Sequence, residues 1–389
     1  LLALAAGLIS GDVVLGLTLL VIGCPGALVI SIPVAIVAGI GRSARNGILI
    51  KGGEYLESSA KISAVAVDKT GTLTEGRPVL TDIVVLDPGS DRREVLRWAA
   101  AAEAGSEHPL ARPILDIARE EGVTPETIPG SVTPVVGKGI VSQVDGKRVL
   151  IGNVPLLEQY GVVNDAGAAA AANELAAAGK TPMIVAVDET VLGVIGVADT
   201  IREDAPEMIR RLHAGGVQKV VMLTGDTRLV AEAIGEAVGI DEIYASLLPE
   251  DKLDAVARLQ REGHTVAMVG DGVNDAPALA TADIGVAMGA AGSAVAVETA
   301  DIALMGDNLL KLPEAIRLAK RTVSVMRQNI WIALLTVVVL LVGVFAGGVT
   351  MSIGMLVHEG SVLIVIFNAM RLLRNTQGAA SMPKRDRHT

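Results

Sequence analysis

The feature that most constrains this chain is a pair of long apolar runs, one near each end of the sequence. Residues 13–40 and residues 330–357 contain no Asp, Glu, Lys or Arg. Each run is long enough to cross the hydrocarbon core of a bilayer as a helix. A further apolar stretch, 361–370, follows the second run. The sequence therefore predicts a membrane protein whose central part, about 41–328, lies outside the bilayer.

Basic residues beside the apolar runs predict the side of the membrane on which the central part lies. They follow the first run, precede the second and follow the last apolar stretch: Arg42, Arg45, Lys51, Lys320, Arg321, Arg327, Arg371 and Arg374. Because Lys and Arg accumulate on cytoplasmic flanks, the central part is expected in the cytoplasm. The composition, rich in Ala, Gly and Val and poor in aromatics, is typical of a bacterial source, and we expect a plasma-membrane protein.

Overall charge and cysteine usage exclude two classes of protein. The net charge of −10 argues against a nucleic-acid partner. Cys24 is the one cysteine in the sequence, so there is no disulfide framework, as expected for a protein whose body is cytoplasmic.

Three segments of the central part share a β-branched apolar run followed by an aspartate. The runs and their aspartates are 62–67 with Asp68, 219–223 with Asp226, and 265–269 with Asp271. Helical patterns at 227–238 and 250–262 separate the last two runs, and 282–288 and 301–305 are predicted as further strands. Strands that alternate with helices predict a parallel sheet. Because the carboxyl ends of parallel strands meet at one edge, we expect the three aspartates to lie close together.

The interval 79–198 departs from this alternation and is predicted to be an inserted α+β domain. Helical patterns occur at 92–104, 110–121 and the alanine-rich 166–178. Two hairpins are predicted, one turning at Asp145-Gly146 and the other at Asp188-Glu189.

The segment Asp68-Lys69-Thr70-Gly71-Thr72-Leu73-Thr74 is the strongest chemical signal. An aspartate at a strand end, followed by small residues, presents a carboxylate to a phosphate among backbone N–H groups. A carboxylate can attack the terminal phosphoryl group of ATP and form an aspartyl-phosphate. Such a site needs Mg²⁺ and cationic donors, because negative charge spreads over the phosphoryl oxygens.

Residues near the other strand ends can meet those needs. Asp271, in the segment Gly-Asp-Gly-Val-Asn-Asp, is placed to bind Mg²⁺, and the carbonyl of Thr70 is a second candidate ligand. Thr224, in Thr-Gly-Asp, can hydrogen-bond phosphoryl oxygens, and Lys252, in Pro-Glu-Asp-Lys, can neutralise their charge.

These four motifs, in this order and spacing, resemble the phosphorylation domain of P-type ATPases, which has a haloacid-dehalogenase-like fold. The resemblance extends over essentially the whole chain. It implies that Asp68 is the nucleophile, and it implies further roles in catalysis for Lys69, Thr70, Thr224, Asp226, Lys252 and Asn274. Asp68, Thr70 and Asp271 would bind Mg²⁺ with support from Asp275. Asp199 and Arg202 resemble the family's hinge.

The resemblance also implies a domain order. It predicts transmembrane helices in 1–41, the phosphorylation domain in 42–78 and 199–321, the nucleotide-binding domain in 79–198, two transmembrane helices in 322–376 and a cytoplasmic tail in 377–389. The segment Ser106-Glu107-His108-Pro109 is similar to the signature of heavy-metal pumps in which the histidine contacts adenine. The ATP site is expected to include Glu107, His108, Gly137, Gly139, Gly152 and Asn153.

The first apolar run contains Cys24-Pro25-Gly26, whose position resembles the Cys-Pro motif of heavy-metal pumps, the P1B-like branch. Proline within a helix removes a hydrogen bond to the carbonyl four residues earlier, here that of Val21. The freed oxygen beside a thiolate would suit a transition metal. Gly26 departs from the usual pattern, which has a second cysteine. In isolation, Cys24 would more readily be read as a packed cysteine beside a kink.

The segment His358-Glu359-Gly360-Ser361, where the second apolar run meets the stretch 361–370, resembles the His-Glu-Gly motif of the subgroup that exports cobalt, zinc, nickel or iron. Ionisable residues within a membrane segment are candidates for function. We therefore expect Cys24, His358 and Glu359 to bind the transported ion, a divalent metal such as Zn²⁺, Co²⁺ or Cd²⁺ rather than copper.

P-type pumps also need an actuator domain with a Thr-Gly-Glu loop, and that tripeptide does not occur here. The chain begins within the apolar residues 1–9, which resemble the stump of an earlier helix. We therefore expect the chain to be truncated at its N-terminus, so that the missing N-terminal portion of the same pump is a partner beside the lipid bilayer, ATP and the metal ion.

Three other interpretations remain open. One is a P-type ATPase of another ion specificity, against which Cys24-Pro25 argues. Another is a haloacid-dehalogenase-type phosphatase, which usually has a second aspartate two residues after the nucleophile, where this chain has Thr70. The last is a membrane scaffold without catalysis, which the intact Asp68 and Asp271 disfavour.

Overall fold

A computed structural model describes residues 11–24, 26–106, 110–123, 132–162, 166–271, 275–289, 298–346 and 348–374. The chain separates into two compact units. The helical unit comprises Leu1–Ile62, Asp301–Gly306 and Lys311–Thr389, and the α/β unit comprises Ser63–Ala300 and Asp307–Leu310.

The described part of the chain contains thirteen helices and thirteen strands. The helices are α1 (Val13–Ile22), α2 (Gly26–Arg45), α3 (Gly53–Ser59), α4 (Arg92–Glu103), α5 (Ala111–Glu120), α6 (Val154–Gln159), α7 (Ala166–Ala177), α8 (Ala205–Ala214), α9 (Arg228–Val238), α10 (Pro249–Arg261), α11 (Ala276–Thr281), α12 (Lys311–Phe345) and α13 (Met351–Met370). The strands are β1 (Ile48–Ile50), β2 (Ala64–Asp68), β3 (Val79–Val85), β4 (Val132–Val135), β5 (Gly139–Val144), β6 (Lys147–Gly152), β7 (Thr181–Val187), β8 (Thr190–Ala198), β9 (Lys219–Leu223), β10 (Glu242–Tyr244), β11 (Val266–Gly270), β12 (Ile284–Ala287) and β13 (Ile302–Leu304).

In the α/β unit, five parallel strands lie in the order β12-β11-β2-β9-β10. Their residues are almost continuously apolar because both faces of the sheet are covered. The strands predicted at 62–67, 219–223, 265–269 and 282–288 are confirmed, with ends that shift by one or two residues. Asp68 is the last residue of β2, and Asp271 directly follows β11. The parallel sheet therefore brings these two acids to the same edge, as predicted.

A second sheet in the α/β unit is antiparallel, with the order β3-β8-β7-β6-β5-β4. Both predicted hairpins are confirmed. Asp145 and Gly146 have φ angles of 51° and 74°, the left-handed pair that a tight hairpin turn requires. Helices α4 and α5 cover one face through a core that includes Trp98 and Ile114, and α6 and α7 cover the other.

The helical unit contains three segments long and apolar enough to span a membrane among the described residues. They are Val13–Arg45, Lys311–Phe345 and Met351–Leu373. The first apolar run, predicted as one kinked helix, is two helices, because α1 ends at Ile22 and α2 begins at Gly26. The second run is interrupted in the same way, between α12 and α13.

Residues 42–62, expected in the phosphorylation domain, group with the helical unit, where β1 pairs with β13 in antiparallel register. The finer division of the chain into six domain segments stays a prediction. The apolar stump at 1–9 and the tail at 377–389 lie outside the described residues.

Candidate phosphorylation, nucleotide and ion sites

Asp68 lies where β2 ends and an irregular helical turn, Lys69–Leu73, begins. Gly71 within this turn has a φ angle of 74°, a conformation that a residue with a side chain rarely adopts. A Cβ atom at Gly71 would lie 3.5 Å from Oδ2 of Asp271. The turn therefore brings the backbone after Asp68 close to the acid that follows β11.

Lys252, near the start of α10, joins two of the predicted acids. Its Nζ atom lies 2.6 Å from Oδ1 of Asp68 and 2.6 Å from Oδ1 of Asp275. All three side chains are largely buried, with exposed fractions of 13%, 9% and 1%. The ammonium group is thus a fixed positive charge beside the carboxylate predicted to attack phosphate.

Burial and charge act on the titration of this cluster. Desolvation, followed by repulsion from Asp275, raises the pKa of Asp68 to about 6, although Lys252 opposes the shift. Burial alone would lower the pKa of Lys252, but the carboxylates of Asp68 and Asp275 raise it on balance. The cluster has more carboxylate charge than its one lysine neutralises, which favours an additional cation.

A second ion pair links the phosphorylation motif to the Thr-Gly-Asp motif. Nζ of Lys69 lies 2.6 Å from Oδ2 of Asp226, and the backbone N–H of Asp226 donates to Oγ1 of Thr224. Lys69 and Thr224 are buried. These contacts hold the turn after β2 against the loop after β9.

The structure thus assembles most of the predicted phosphorylation residues in one crevice of the α/β unit. Lys252, Asp68 and Asp275 form one cluster, Lys69, Thr224 and Asp226 form its neighbour, and Thr70 and Asp271 lie beside them. Asn274 lies outside the described residues. Within the described part of the chain, no group of three or more His, Cys, Asp or Glu side chains is arranged to hold a metal ion.

The two predicted hinge residues hold the loop that follows Asp68. The carboxylate of Asp199 accepts hydrogen bonds from Oγ1 of Thr74 and from the backbone N–H groups of Gly76 and Arg77. Arg202 donates to the carbonyl oxygens of Thr74 and Gly71. Asp199 and Arg202 therefore fix the position of the turn that presents Asp68.

A cavity of about 990 Å³ lies between the antiparallel sheet and the loop after β9. Its lining includes four residues that the sequence predicts for the ATP site, Gly137, Gly139, Gly152 and Asn153, and Asp226 lines the opposite wall. Their role in binding a nucleotide stays a prediction. Asp226 also pairs with Lys69, so this one residue both lines the cavity and contacts the residue that follows Asp68.

The predicted glycines in this cavity have different structural causes. A Cβ atom at Gly139 would lie 2.1 Å from the carbonyl oxygen of Ile151, and one at Gly152 would lie 2.1 Å from that of Lys138. Strand packing therefore excludes a side chain at these two positions whatever the ligand. Gly137 has a φ angle of 70° and open space around it, so it leaves room on the cavity side.

Glu103, at the end of α4, is a residue of this cavity that the sequence analysis did not predict. It is 3% exposed, and no hydrogen bond to its Oε2 occurs within the described residues. Burial raises the pKa of this carboxyl group, while a hydrogen bond with Ser106 lowers it. A glutamate on the apolar face of Trp98-Ala-Ala-Ala-Ala-Glu103 was a signal that could have found it. Glu107 and His108 lie outside the described residues.

The candidate ion residues of the helical unit differ in exposure. Cys24 is exposed, His358 is 8% exposed and Glu359 is exposed. The prediction of a free carbonyl at Val21 is wrong, because this oxygen accepts the backbone N–H of Cys24 at 3.3 Å. The break between α1 and α2 closes on itself through a short turn in which Gly26 N–H donates to the carbonyl of Cys24.

Comparison with known proteins identifies the family to which this chain belongs. The model of haloacid dehalogenase-like hydrolases matches residues 62–283. A probable cadmium-transporting ATPase of Staphylococcus aureus is 44% identical over 92% of this chain and 50% of its own length. The chain belongs to the P-type ATPases, within the haloacid dehalogenase-like hydrolases.

Further relatives agree with this assignment. A zinc-exporting P-type ATPase of Mycobacterium marinum is 43% identical over 94% of this chain and 50% of its own length. The crystal structure of a zinc-transporting PIB-type ATPase superposes with a TM-score of 0.72 at 45% identity and covers 92% of this chain and 57% of that one. This P-type ATPase spans about half the length of the curated relatives that it matches. With its three candidate spans it is an integral membrane protein.

Proposed function

We propose that this P-type ATPase is the part of an exporter that uses ATP to drive a divalent transition-metal ion across a membrane. The observation that supports this most is the Lys252 bridge between Asp68 and Asp275 at the carboxyl edge of a parallel sheet. The 44% identity to a cadmium-transporting ATPase supports the cargo class.

In the proposed reaction, a carboxylate oxygen of Asp68 attacks the terminal phosphorus of ATP. A bond forms between that oxygen and phosphorus, the bond from phosphorus to the bridging oxygen breaks, and ADP leaves. Lys252 is placed to offset the charge of the transferred group, and Thr224 and Asn274 are proposed to donate hydrogen bonds to its oxygens. Lys69 and Asp226 position the loops on either side.

The donor set suits Mg²⁺, which prefers oxygen ligands. Asp68, Asp271 and the carbonyl of Thr70 are proposed as ligands, with Asp275 in support. The excess of carboxylates over ammonium groups in the crevice favours a divalent cation there. Bound Mg²⁺ would neutralise charge on the phosphoryl oxygens.

The cavity is proposed to bind the nucleotide. Its volume is suited to a ligand of that size, and Asp226 borders both the cavity and the phosphorylation crevice. Glu103 is proposed to accept a hydrogen bond from the ligand, because a buried carboxylate oxygen without a partner is costly. Gly137, Gly139, Gly152 and Asn153, with Glu107 and His108, complete the proposed site.

The cargo is proposed to bind at Cys24, His358 and Glu359. A thiolate, an imidazole and a carboxylate together suit Zn²⁺, Co²⁺ or Cd²⁺ rather than a hard cation such as Mg²⁺.

The test is phosphorylation of the purified chain in detergent with labelled ATP and Mg²⁺ across a panel of divalent metals. We expect an acid-stable, hydroxylamine-labile label that rises with one transition metal. Asp68→Asn is the control and should carry no label. A label that persists in Asp68→Asn would contradict the proposed nucleophile, and a label that no metal changes would contradict the proposed cargo.

A further inference from the structure

The break between α1 and α2 lies against one face of α13. A Cβ atom at Gly354 of α13 would lie 2.7 Å from Cδ1 of Ile22, the last residue of α1. One turn later, Nε2 of His358 lies 3.1 Å from the position of a Cβ atom at Gly26, the first residue of α2. Cys24 lies between Ile22 and Gly26 in the sequence, so the helix break that contains it is flanked on both sides by contacts with α13.

His358 belongs to the inward face of α13. The buried residues of this helix recur at helical spacing and are Gly354, His358, Ser361, Val365 and Ala369. His358 is more than nine-tenths buried, and no hydrogen bond to its imidazole occurs in the part of the chain that the structure describes. A buried polar ring without a partner is costly unless a ligand engages it.

The imidazole of His358 faces Gly26, the residue at which this chain departs from the usual Cys-Pro-Cys pattern. Gly26 has no side chain, and the edge of the imidazole lies 3.1 Å and 3.7 Å from where its Cβ atom would be, measured at Nε2 and Cε1. At 3.1 Å, a methyl group would require the ring to shift by a few tenths of an ångström, and a larger side chain would require more. The ring and a side chain at position 26 therefore compete for the same space.

We infer that Gly26 is a specificity-determining residue, because its missing side chain admits the imidazole of His358 to the helix break beside Cys24. This inference rests on the proposed function and adds the reason for its ion preference. One thiolate and one imidazole form a donor pair of intermediate softness, which favours Zn²⁺ and Co²⁺. A side chain at position 26 would displace the imidazole, and a cysteine there would supply a second thiolate in its place.

The test is the binding of zinc and cadmium to the full chain in detergent, by competition with a chromogenic chelator. Gly26→Ala should lower zinc affinity by about tenfold or more, the scale seen when the surroundings of a metal ligand are disturbed. Gly41→Ala is the matched control, because Gly41 lies on the same helix with no atom within 4 Å of its Cβ position. It should bind zinc as the unchanged chain does.

A double variant distinguishes displacement of the His358 imidazole from any direct effect of the Gly26 substitution on the helix. In a His358→Ala background, Gly26→Ala should have no further effect on zinc affinity, because there is no ring to displace. An equal loss in both backgrounds would overturn the inference, and so would unchanged binding in Gly26→Ala.

Gly26→Cys gives an independent measurement, the ratio of cadmium to zinc affinity. We expect this ratio to rise about tenfold, since a thiolate replaces an imidazole; an unchanged ratio would overturn the inference. If the unchanged chain bound neither metal, the proposed ion site and the inference would both fail. Binding that is insensitive to position 26 would remove the inference alone.

Discussion

The phosphorylation crevice and the helix break at Cys24 differ in how fully their charged and polar groups are paired within the protein. In the crevice, Lys252 contacts two carboxylates at 2.6 Å, and Lys69 contacts Asp226 at the same distance. At the helix break, the imidazole of His358 has no hydrogen bond within the described residues, and Cys24 is exposed. Phosphoryl transfer gains from charges fixed in advance. A cargo site must also release its ion, which favours a weaker prior arrangement.

This comparison predicts that single substitutions will damage the two regions in different ways. In the crevice, each removed group leaves a buried charge behind and therefore costs both stability and activity. At the helix break, a removed ligand leaves no unmatched charge, so ion binding should change while the fold does not.

Lys252→Met should have the largest effect. It leaves the buried carboxylates of Asp68 and Asp275 without their common counter-ion, and we expect the free energy of unfolding to fall by about 3–5 kcal/mol. Formation of the phosphoenzyme should fall by about a hundredfold or more. Chemical denaturation and labelling with ATP measure the two effects.

Lys219→Met is the matched control for that experiment. Lys219 also contacts two acids, Glu242 at 2.7 Å and Glu262 at 3.5 Å, but its side chain is 29% exposed. Its loss should cost about 1 kcal/mol or less. Adding Asp275→Asn to Lys252→Met should recover part of the stability, because it removes one of the two unmatched charges. Equal losses of stability and phosphoenzyme in Lys252→Met and Lys219→Met would contradict a special role for the buried lysine.

Cys24→Ser should have the next largest effect, and we expect it to change ion binding but not the stability of the fold. We expect metal affinity to fall by about 10- to 100-fold, while the free energy of unfolding changes by about 0.5 kcal/mol or less, because the exposed thiol is replaced by a group of similar size. Metal binding and thermal unfolding of the same samples measure both. A loss of stability as large as that in Lys252→Met would show that Cys24 supports the fold, as the charged groups of the crevice do.

The pH dependence of phosphorylation should follow the ionisation of Asp68. Burial and Asp275 raise the pKa of this carboxyl group to about 6, and attack on phosphorus requires the carboxylate. At low Mg²⁺, the rate of phosphoenzyme formation should therefore rise about tenfold from pH 5 to pH 7. Added Mg²⁺ should move the midpoint to lower pH, because a cation favours the ionised form.

The raised pKa of Asp68 also determines how the free energy of unfolding changes with pH. The pKa of Asp68 in the folded chain lies above its ordinary value of 3.8, so the folded state binds more protons between about pH 4 and pH 6. The stabilising contribution of this group is thus present below its unfolded pKa and is lost as pH rises through about 6. Asp68→Asn should flatten that part of the stability curve, and an unaltered curve would contradict the assigned shift.

The sequence predicts the crevice better than the helix break for a physical reason. Asp68 ends one buried strand and Asp271 directly follows another, so the alternation of strands and helices suffices to bring them together. The Lys252 bridge to Asp275 depends on how α10 packs, which no local pattern states. The contact of His358 with Gly26 is further from prediction, because it depends on where two membrane helices break and cross.

In the cavity, the sequence predicts two glycines without the structural reason for them, and it does not predict the buried acid Glu103. Gly139 and Gly152 are predicted from the sequence as part of the ATP site, but they pair in adjacent strands, and each backbone lies where a Cβ atom of the other would be. Glu103 was missed because it ends a run of alanines, where a single acid resembles the solvent-exposed end of a helix. Burial, which decides between these readings, depends on the packing of α4 against the sheet.

Glu103 is a buried group without a full set of hydrogen-bond partners in the α/β unit, as His358 is in the helical unit. Glu103→Gln keeps the shape of the side chain and removes its charge. If Oε2 accepts a hydrogen bond from the nucleotide, ATP affinity should fall by about tenfold, the scale of one hydrogen bond to a charged group. The free energy of unfolding should stay the same or rise slightly, since a desolvated charge is removed.

Calorimetric titration with ATP, beside Glu94→Gln as a control on the opposite end of α4, measures this effect; Glu94 lies in the first turn of that helix, outside the cavity. Unchanged ATP affinity together with a clear gain in stability would mean that Glu103 is merely an unfavourable buried acid. A loss of affinity without loss of stability would place Glu103 with His358, as a group whose hydrogen bonding is incomplete in the protein and is completed by the ligand.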